Sequence, residues 1–142
     1  MIIADASGLL ALFNTGEPRH QDVREVLAGS GEPLVVSPYV VAELDYLVAT
    51  RVGVEAELAV LRALSGPGYE LAEIDAAHLS AAADVIEQYA DQQIGAADAS
   101  IVVLARRHRT DRILTLDRRH FGVLRASDGR PFTLLPDAAT TR

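Results

Sequence analysis

The 142-residue sequence contains no cysteine, and its 13 basic residues include no lysine. Without cysteine there is no thiolate, which excludes zinc fingers, iron–sulfur clusters, cysteine nucleophiles and thiol redox switches. Without lysine there is no Schiff-base chemistry, no P-loop and no receiver-domain phosphorylation switch. Chemistry in this chain must therefore come from carboxylates, imidazoles, hydroxyls and guanidinium groups.

Long apolar runs are also missing. No stretch reaches the ~20 apolar residues that a membrane-spanning helix requires, and the N-terminus lacks the basic and apolar segments of a signal peptide. Hydrophobic residues nevertheless make up 49% of the sequence, so that disorder is not expected. We predict one soluble, cytoplasmic domain over residues 1–135, followed by a frayed tail at 136–142.

Charge is unevenly distributed along the chain. The formal net charge of −7 argues, taken alone, against a nucleic-acid partner. Residues 1–100 hold 16 acidic residues and 4 arginines, however, whereas residues 101–142 hold 4 acidic residues and 9 arginines. An acidic body with an arginine-rich last third remains compatible with a polyanionic ligand.

Short apolar runs alternate with amphipathic segments throughout the chain. Strands are predicted at 1–5, 34–36, 69–74, 112–117 and 132–135. Helices are predicted at 8–13, 18–28, 39–52, 54–64, 76–89 and 96–108, and Ser7 is a candidate N-cap for the first of them. This alternation predicts an α/β fold with a central, mainly parallel sheet and helices on both faces.

Three aspartates occupy positions that suggest a site. Asp5 and Asp117 each stand at the end of a predicted buried strand, where open α/β sheets bind ligands, although each could instead cap the following helix. Asp98 lies within the apolar stripe of its helix, between Ile94 and Ile101. A carboxylate there is costly unless it is bound to a metal, paired, or hydrogen-bonded, for instance to backbone amides.

Periodicity leaves a fourth acidic position open. Glu43 and Asp45 flank the apolar stripe of their helix, which centres on Leu44, at about 100° on either side. The helical period alone therefore does not decide which of the two carboxylates turns inward.

The arginines of the last third fall into two groups. One, at 106–109, closes a helix and would complement its negative end. The other directly follows Asp117 and comprises Arg118 and Arg119, with His120 beside them. We expect this second group at the mouth of the acidic site, where it would hold phosphates; a solvated loop is the alternative. Nothing in the sequence orients His120 as a general base.

Several carboxylates converging on one cleft would repel each other, and some would become protonated. Mg²⁺ and Mn²⁺ remove this conflict because they are hard cations that prefer oxygen ligands. Two such ions ~3.5–4 Å apart activate a water and stabilise the leaving oxygen in the in-line cleavage of a phosphodiester. The sequence has no serine–histidine or cysteine pair for acyl chemistry and no glycine-rich phosphate loop.

Four segments, in order, resemble the motifs of the PIN domain family. They are 2–10 (IIADASGLL), 37–44 (SPYVVAEL), 94–99 (IGAADA) and 115–121 (TLDRRHF). The resemblance spans residues 2 to 124, and the compact single-domain form is most similar to VapC-type toxins of bacterial toxin–antitoxin pairs. Gly8 is a departure, since alanine is frequent at that position of the family.

The resemblance implies a Mg²⁺- or Mn²⁺-dependent endoribonuclease that arrests translation by cutting RNA. It implies that Ser7 orients Asp5 or a metal-bound water, and that the acidic ligands are Asp5, Glu43, Asp98 and Asp117. It also implies a homodimer that a small cognate antitoxin neutralises by filling the active-site groove. The alternative is a non-catalytic PIN domain that binds RNA or protein, in which one or more of these acids should be missing.

Overall fold

A computed structural model describes residues 1–137, which form five strands and seven helices. The strands are β1 (Ile2–Ala4), β2 (Leu34–Val36), β3 (Tyr69–Leu71), β4 (Arg112–Leu114) and β5 (Thr133–Leu135). The helices are α1 (Ala6–Phe13), α2 (His20–Ser30), α3 (Pro38–Arg51), α4 (Val54–Leu64), α5 (Ala76–Gln88), α6 (Ala96–Arg107) and α7 (Arg118–Phe121), with a 3₁₀ turn at Ala90–Gln92. Most of the tail expected at 136–142 lies outside the described residues.

All five strands join one parallel sheet in the order β3-β2-β1-β4-β5, which confirms the predicted α/β architecture. Every residue of β1 and β2 is buried. Such continuous burial requires cover on both faces of the sheet, and it explains the unbroken apolar run at the start of the sequence. Among the helices of residues 1–137, none combines the length and apolar character needed to span a bilayer.

The strand order creates a crevice between β1 and β4. From β1 the chain continues through α1 and α2 to β2 on one side, whereas from β4 it continues through α7 to β5 on the other. Because these connections leave in opposite directions, the carboxyl ends of β1 and β4 border an open space, the usual ligand position in such sheets. Asp5 follows β1 and Asp117 follows β4, so that both aspartates lie at this crevice.

Two local predictions are wrong at helix starts. Helix α1 begins at Ala6 rather than Gly8, which puts Asp5 at the N-cap and Ser7 within the first turn. Ser7 does not cap the helix, because its hydroxyl donates to the Asp5 carboxylate instead. Helix α2 begins at His20 rather than at Pro18, because residues 18 and 19 form a turn before the helix.

The segment after Asp117 also differs from prediction. The predicted strand 112–117 ends at Leu114, and the residues after Asp117, for which a solvated loop was the alternative, form the short helix α7. The carboxylate of Asp117 accepts a hydrogen bond from the backbone N–H of His120 and thereby caps this helix. A four-residue helix carries no apolar periodicity, so this cap was its main signal in the sequence.

Gly8 allows α1 to pack directly against the end of β4. A Cβ atom at this position would lie 2.6 Å from the carbonyl oxygen of Leu114 and 2.7 Å from its Cγ. The same carbonyl oxygen accepts a 2.9 Å hydrogen bond from the backbone N–H of Asp5. The departure from the family pattern at Gly8 is therefore matched to an unusually close contact between α1 and β4.

Replacing Gly8 with alanine should destabilise the protein, because the added methyl group would clash with the backbone of Leu114, which is fixed in the sheet. We expect a loss of about 1–3 kcal/mol in the free energy of unfolding, measured by urea denaturation. Gly29→Ala is the control, since a Cβ at that position of α2 meets nothing within 4 Å. The control should be stabilised by about 0.4–1 kcal/mol; equal stability of the two variants would contradict the packing argument.

Candidate active site

Four of the predicted acidic residues line one open cleft of about 380 Å³ at the crevice between β1 and β4. Asp5 precedes α1, Glu43 lies on α3, Asp98 lies in the first turn of α6, and Asp117 precedes α7. The remaining lining residues are Ser7, Leu10, Leu47, Arg51 and His120. Four segments that are distant in sequence thus bring their carboxylates to one place.

Asp5 is buried, with 5% of its surface exposed, and is held by two hydroxyl groups. Its Oδ2 accepts hydrogen bonds from Ser7 Oγ at 2.8 Å and from Thr115 Oγ1 at 2.7 Å. Ser7 Oγ in turn accepts from the backbone N–H of Leu116 at 2.9 Å. Thr115 Oγ1 accepts from the backbone N–H of Asp117, also at 2.9 Å. This network fixes the Asp5 carboxylate between α1 and the end of β4.

Thr115 is a residue whose role sequence reasoning missed. It is 1% exposed, and its hydroxyl connects the carboxylate of Asp5 to the backbone of Asp117. A hydroxyl residue at the buried end of an apolar strand, two positions before an aspartate, was the available signal. We regard Thr115 as a positioning residue, because it acts on the cleft through the two aspartates.

Removing the Thr115 hydroxyl should cost stability. Thr115→Val keeps the side-chain shape, but it deprives Asp5 of a donor and leaves the Asp117 backbone N–H unpaired. We expect a loss of about 1–3 kcal/mol in the free energy of unfolding. Thr115→Ser retains the hydroxyl and should lose less, although it gives up a buried methyl group. Urea denaturation of both variants measures the difference, and a valine variant at least as stable as the serine variant would contradict the network's importance.

Two carboxyl groups of the cleft, those of Asp98 and Glu43, have raised pKa values. Burial, followed by the charge of Asp5, raises the pKa of Asp98 from 3.8 to about 6; Asp117 and Glu43 add to this rise, and His120 opposes it. Burial, then Asp5 and Asp117, also raise the pKa of Glu43. The cleft therefore concentrates negative charge that a bound cation would relieve.

The structure distinguishes the two acids that periodicity left open. Glu43 lines the cleft. Asp45 instead faces α4, where its hydrogen bond raises the pKa of Glu57. The position of Glu43 agrees with the one implied by the family resemblance.

Asp117 both caps α7 and orients His120. Its Oδ1 accepts the backbone N–H of His120 at 3.1 Å, and its Oδ2 lies 3.0 Å from Nδ1 of the same residue. That Nδ1 also lies 3.6 Å from Oδ2 of Asp98. The expectation that nothing orients His120 is therefore wrong, because Asp117 holds its ring in the cleft. A cation bound by Asp117 would use carboxylate oxygens that already contact the backbone N–H and the imidazole of His120.

The two arginines that follow Asp117 are not brought to the cleft. Arg118 and Arg119 are exposed and do not line it, and Nη2 of Arg118 donates to the carbonyl oxygen of Pro136 at 2.7 Å. The arginine that does line the cleft is Arg51, at the end of α3, which sequence reasoning missed. It follows Glu43 by two helical steps of four residues, so that spacing on one helix face could have found it.

The donor chemistry of the cleft fits Mg²⁺ or Mn²⁺. Within residues 1–137, no three carboxylate or imidazole groups are grouped closely enough to form a ready ligand set for one ion. This open arrangement is compatible with Mg²⁺, which keeps several waters and commonly binds through one or two carboxylates together with substrate phosphates. The raised pKa values of Asp98 and Glu43 add support, because burial and the neighbouring carboxylates both disfavour their negative charge in the absence of a cation.

Comparison with known proteins gives the family. The PIN domain profile matches residues 2–125. Ribonuclease VapC26 of Mycobacterium tuberculosis is 59% identical over 135 residues, which cover 95% of this chain and 100% of that protein. The chain belongs to the PIN domain family and, within it, to the VapC ribonucleases.

Solved structures of the same fold are much less similar in sequence. VapC20 of Mycobacterium tuberculosis, a sarcin–ricin loop cleaving toxin, has a TM-score of 0.77 and 20% identity over 84% of this chain and 92% of that one. A toxin–antitoxin complex from Klebsiella pneumoniae gives 0.68 and 18%, covering 87% and 92%. VapBC2 from Rickettsia felis, bound to a DNA fragment from its promoter, gives 0.66 and 20%, covering 94% and 97%.

The raised pKa of Asp98 predicts a pH-dependent stability. Because the folded state holds this proton more tightly than the unfolded state, the stabilisation is complete below about pH 4 and is lost as the pH rises through about 6. Asp98→Asn removes this loss, so that its Tm in EDTA should rise relative to the wild type between pH 4 and pH 7. Asp84→Asn, at an exposed position of α5, is the control. Parallel Tm profiles for both variants and the wild type would refute the prediction.

Proposed function

We propose that this chain is a toxic, metal-dependent endoribonuclease of a toxin–antitoxin pair, which hydrolyses RNA phosphodiester bonds and inhibits translation. The observation that carries the proposal is the convergence of four carboxylates on one cleft. Membership of the PIN domain family and 59% identity to Ribonuclease VapC26 support the activity. A protein that inhibits translation would need access to RNA in the cytoplasm, and we therefore also propose a cytoplasmic location.

In this proposal, Asp5, Glu43, Asp98 and Asp117 hold Mg²⁺ or Mn²⁺. Two such cations would supply an activated water and stabilise the negative charge that develops during in-line hydrolysis. Asp5 contributes a carboxylate whose orientation is set by Ser7 and Thr115, so that little reorganisation is needed when the cation arrives. Ser7 therefore acts on the reaction through Asp5.

The cationic residues around the cleft would bind the RNA. Arg51 lines the cleft and would hold a phosphate next to the scissile bond. His120, held by Asp117, would provide a second hydrogen-bond donor at the same site. Arg118 and Arg119 would contact RNA beyond the cleft, since both are exposed on the helix that carries His120.

RNA cleavage with Mg²⁺ or Mn²⁺, followed on denaturing gels and repeated in EDTA, tests the activity. Ser7→Ala should slow cleavage by about 10–100-fold, the usual effect of losing a group that orients a ligand. Asp98→Asn should slow it further, because it removes a ligand, whereas Asp84→Asn should cleave normally. Undiminished cleavage by Asp98→Asn would overturn the assignment. Metal binding without cleavage of a broad set of RNAs would instead indicate a non-catalytic PIN domain.

Metal binding should also stabilise the fold near neutral pH, because a cation relieves the repulsion among the carboxylates. A concentration of 100 times Kd adds about 2.7 kcal/mol to the free energy of unfolding. We expect Tm at pH 7 to rise when EDTA is replaced by millimolar Mg²⁺ or Mn²⁺, and to rise less in Asp98→Asn. An unchanged Tm in the wild type would argue against a preformed site.

We further propose a small cognate antitoxin and a homodimeric assembly. The Klebsiella pneumoniae structure is a toxin–antitoxin complex, and the Rickettsia felis structure is VapBC2 on promoter DNA. Both share the fold of this chain, which supports an antitoxin partner here. A short neighbouring reading frame that encodes a DNA-binding protein, and whose product co-purifies with this chain and blocks RNA cleavage, would support the partner; sedimentation measures the dimer.

A further inference from the structure

A second cavity, of about 430 Å³, lies where β4 and β5 begin, whereas the acidic cleft lies beyond the carboxyl ends of β1 and β4. It is lined by the end of α6, by Thr110 and Asp111 just before β4, and by the turn at 126–130. Its charged residues are Arg106, Arg109, Arg130, Asp111 and Asp128. The arginine-rich last third of the chain, only partly explained by the cleft, thus contributes three guanidinium groups to one concave surface.

Backbone hydrogen bonds hold the walls of this arginine cavity. Arg125 and Pro131 form an antiparallel bridge at the base of the 126–130 turn. Within the turn, the N–H of Ala126 donates to Arg130 O at 3.0 Å, and the N–H of Gly129 donates to Ala126 O at 3.0 Å. On the opposite wall, Arg109 has a left-handed backbone (φ 52°) where the chain leaves α6. The cavity is therefore a built feature of the fold.

Arg106 carries an unsatisfied donor at this cavity. Its Nη2 donates to the carbonyl oxygen of Arg125 at 3.1 Å, which holds the guanidinium against the turn. Its Nε is fully buried and is the one such side-chain nitrogen or oxygen in residues 1–137 without a hydrogen-bond partner. An atom without exposed surface cannot contact a ligand in the cavity, so any contact from Arg106 would come from the part of its side chain that lines the cavity. The arginines at 106–109 were expected to complement the negative end of α6. The hydrogen bond from Arg106 goes instead to Arg125, which lies outside that helix.

The neighbouring acids leave the cavity positively charged. Asp128 is paired with Arg130, whose Nε lies 3.1 Å from its Oδ2. Asp111 accepts a hydrogen bond from Thr133 Oγ1 at 3.0 Å. Within residues 1–137, neither Arg106 nor Arg109 forms an ion pair with a carboxylate. Two guanidinium groups without a carboxylate partner therefore face a single unpaired acid, Asp111.

We propose that the arginine cavity binds a phosphate group through Arg106 and Arg109. Guanidinium groups form strong, charge-assisted hydrogen bonds with phosphate oxygens. The phosphate belongs either to RNA that extends past the cleft, which rests on the proposed function, or to a free phosphate compound. It is not the scissile phosphate, because the cavity lies where β4 begins and the acidic cleft lies beyond the end of the same strand.

Titration of the metal-free protein with inorganic phosphate at constant ionic strength tests the site. The Nε–Hε resonance of Arg106, assigned by its disappearance in Arg106→Gln, should shift with saturation. Arg109→Gln should weaken phosphate binding by about tenfold or more. Arg107→Gln is the matched control, because Arg107 lies on the same helical turn but lines a different cavity. An Arg106 resonance that does not shift, or equal weakening in both variants, would overturn the proposal.

RNA binding in EDTA separates the two sources of phosphate. If the group belongs to RNA, Arg109→Gln should reduce the slope of log K against log salt by about 0.7, as expected for one lost contact with a single strand. Arg107→Gln should leave that slope unchanged. If phosphate binds but the slope is unaltered in Arg109→Gln, the phosphate site stands and its ligand is a free phosphate compound. These readouts need no cleavage, so that loss of the proposed ribonuclease activity would leave them interpretable.

Discussion

The hydrogen bonds to Oδ2 of Asp5 are the contacts on which the rest of the site depends. A carboxylate that is almost fully buried is tolerated only when its oxygens find donors. Here one donor comes from the first turn of the helix that Asp5 precedes, and the other comes from a residue 110 positions away. The burial of a single charge therefore requires the start of α1 and the end of β4 to meet in one arrangement.

The need to bring hydrogen-bond donors to Asp5 also explains the close packing of α1 against β4. For the hydroxyl of Thr115 to reach Asp5, α1 must lie directly on β4, and Gly8 removes the side chain that would prevent this. The backbone of Asp117 is then held by Thr115, which places the cap of α7 and, through it, the ring of His120. The positions of Ser7, Asp117 and His120 are thus tied to one buried carboxylate, whereas Asp98 and Glu43 are carried by α6 and α3.

Much of this could be anticipated from the sequence, and the remainder has identifiable physical reasons. Asp5 and Asp117 were identified because they follow buried strands, and Asp98 because it lies in the apolar stripe of α6. Both signals can be read from short stretches of sequence. Glu43 and Asp45 could not be separated in the same way. They lie at equal angles from the stripe, and only the packing of α4 against α3 decides which of them meets another helix.

The residues after Asp117 show a different limit. As a loop, 118–120 could have turned all its side chains toward the cleft. As the helix α7, successive side chains are rotated by about 100°, so that His120 enters the cleft while Arg118 and Arg119 do not. The orphaned Nε of Arg106 was equally invisible, since it results from a turn nearly twenty residues further along the chain.

The strand order also has a consequence for the growing chain. Because the chain is made from its N-terminus, β1 is synthesised long before β4, which is one of its two neighbours in the sheet. Until Thr115 has emerged, Asp5 has no partner across the sheet, and β4 and the cap of α7 are absent. A nascent chain of about one hundred residues therefore lacks Asp117 and His120, and the catalytic cleft is complete only when synthesis of the chain is nearly finished.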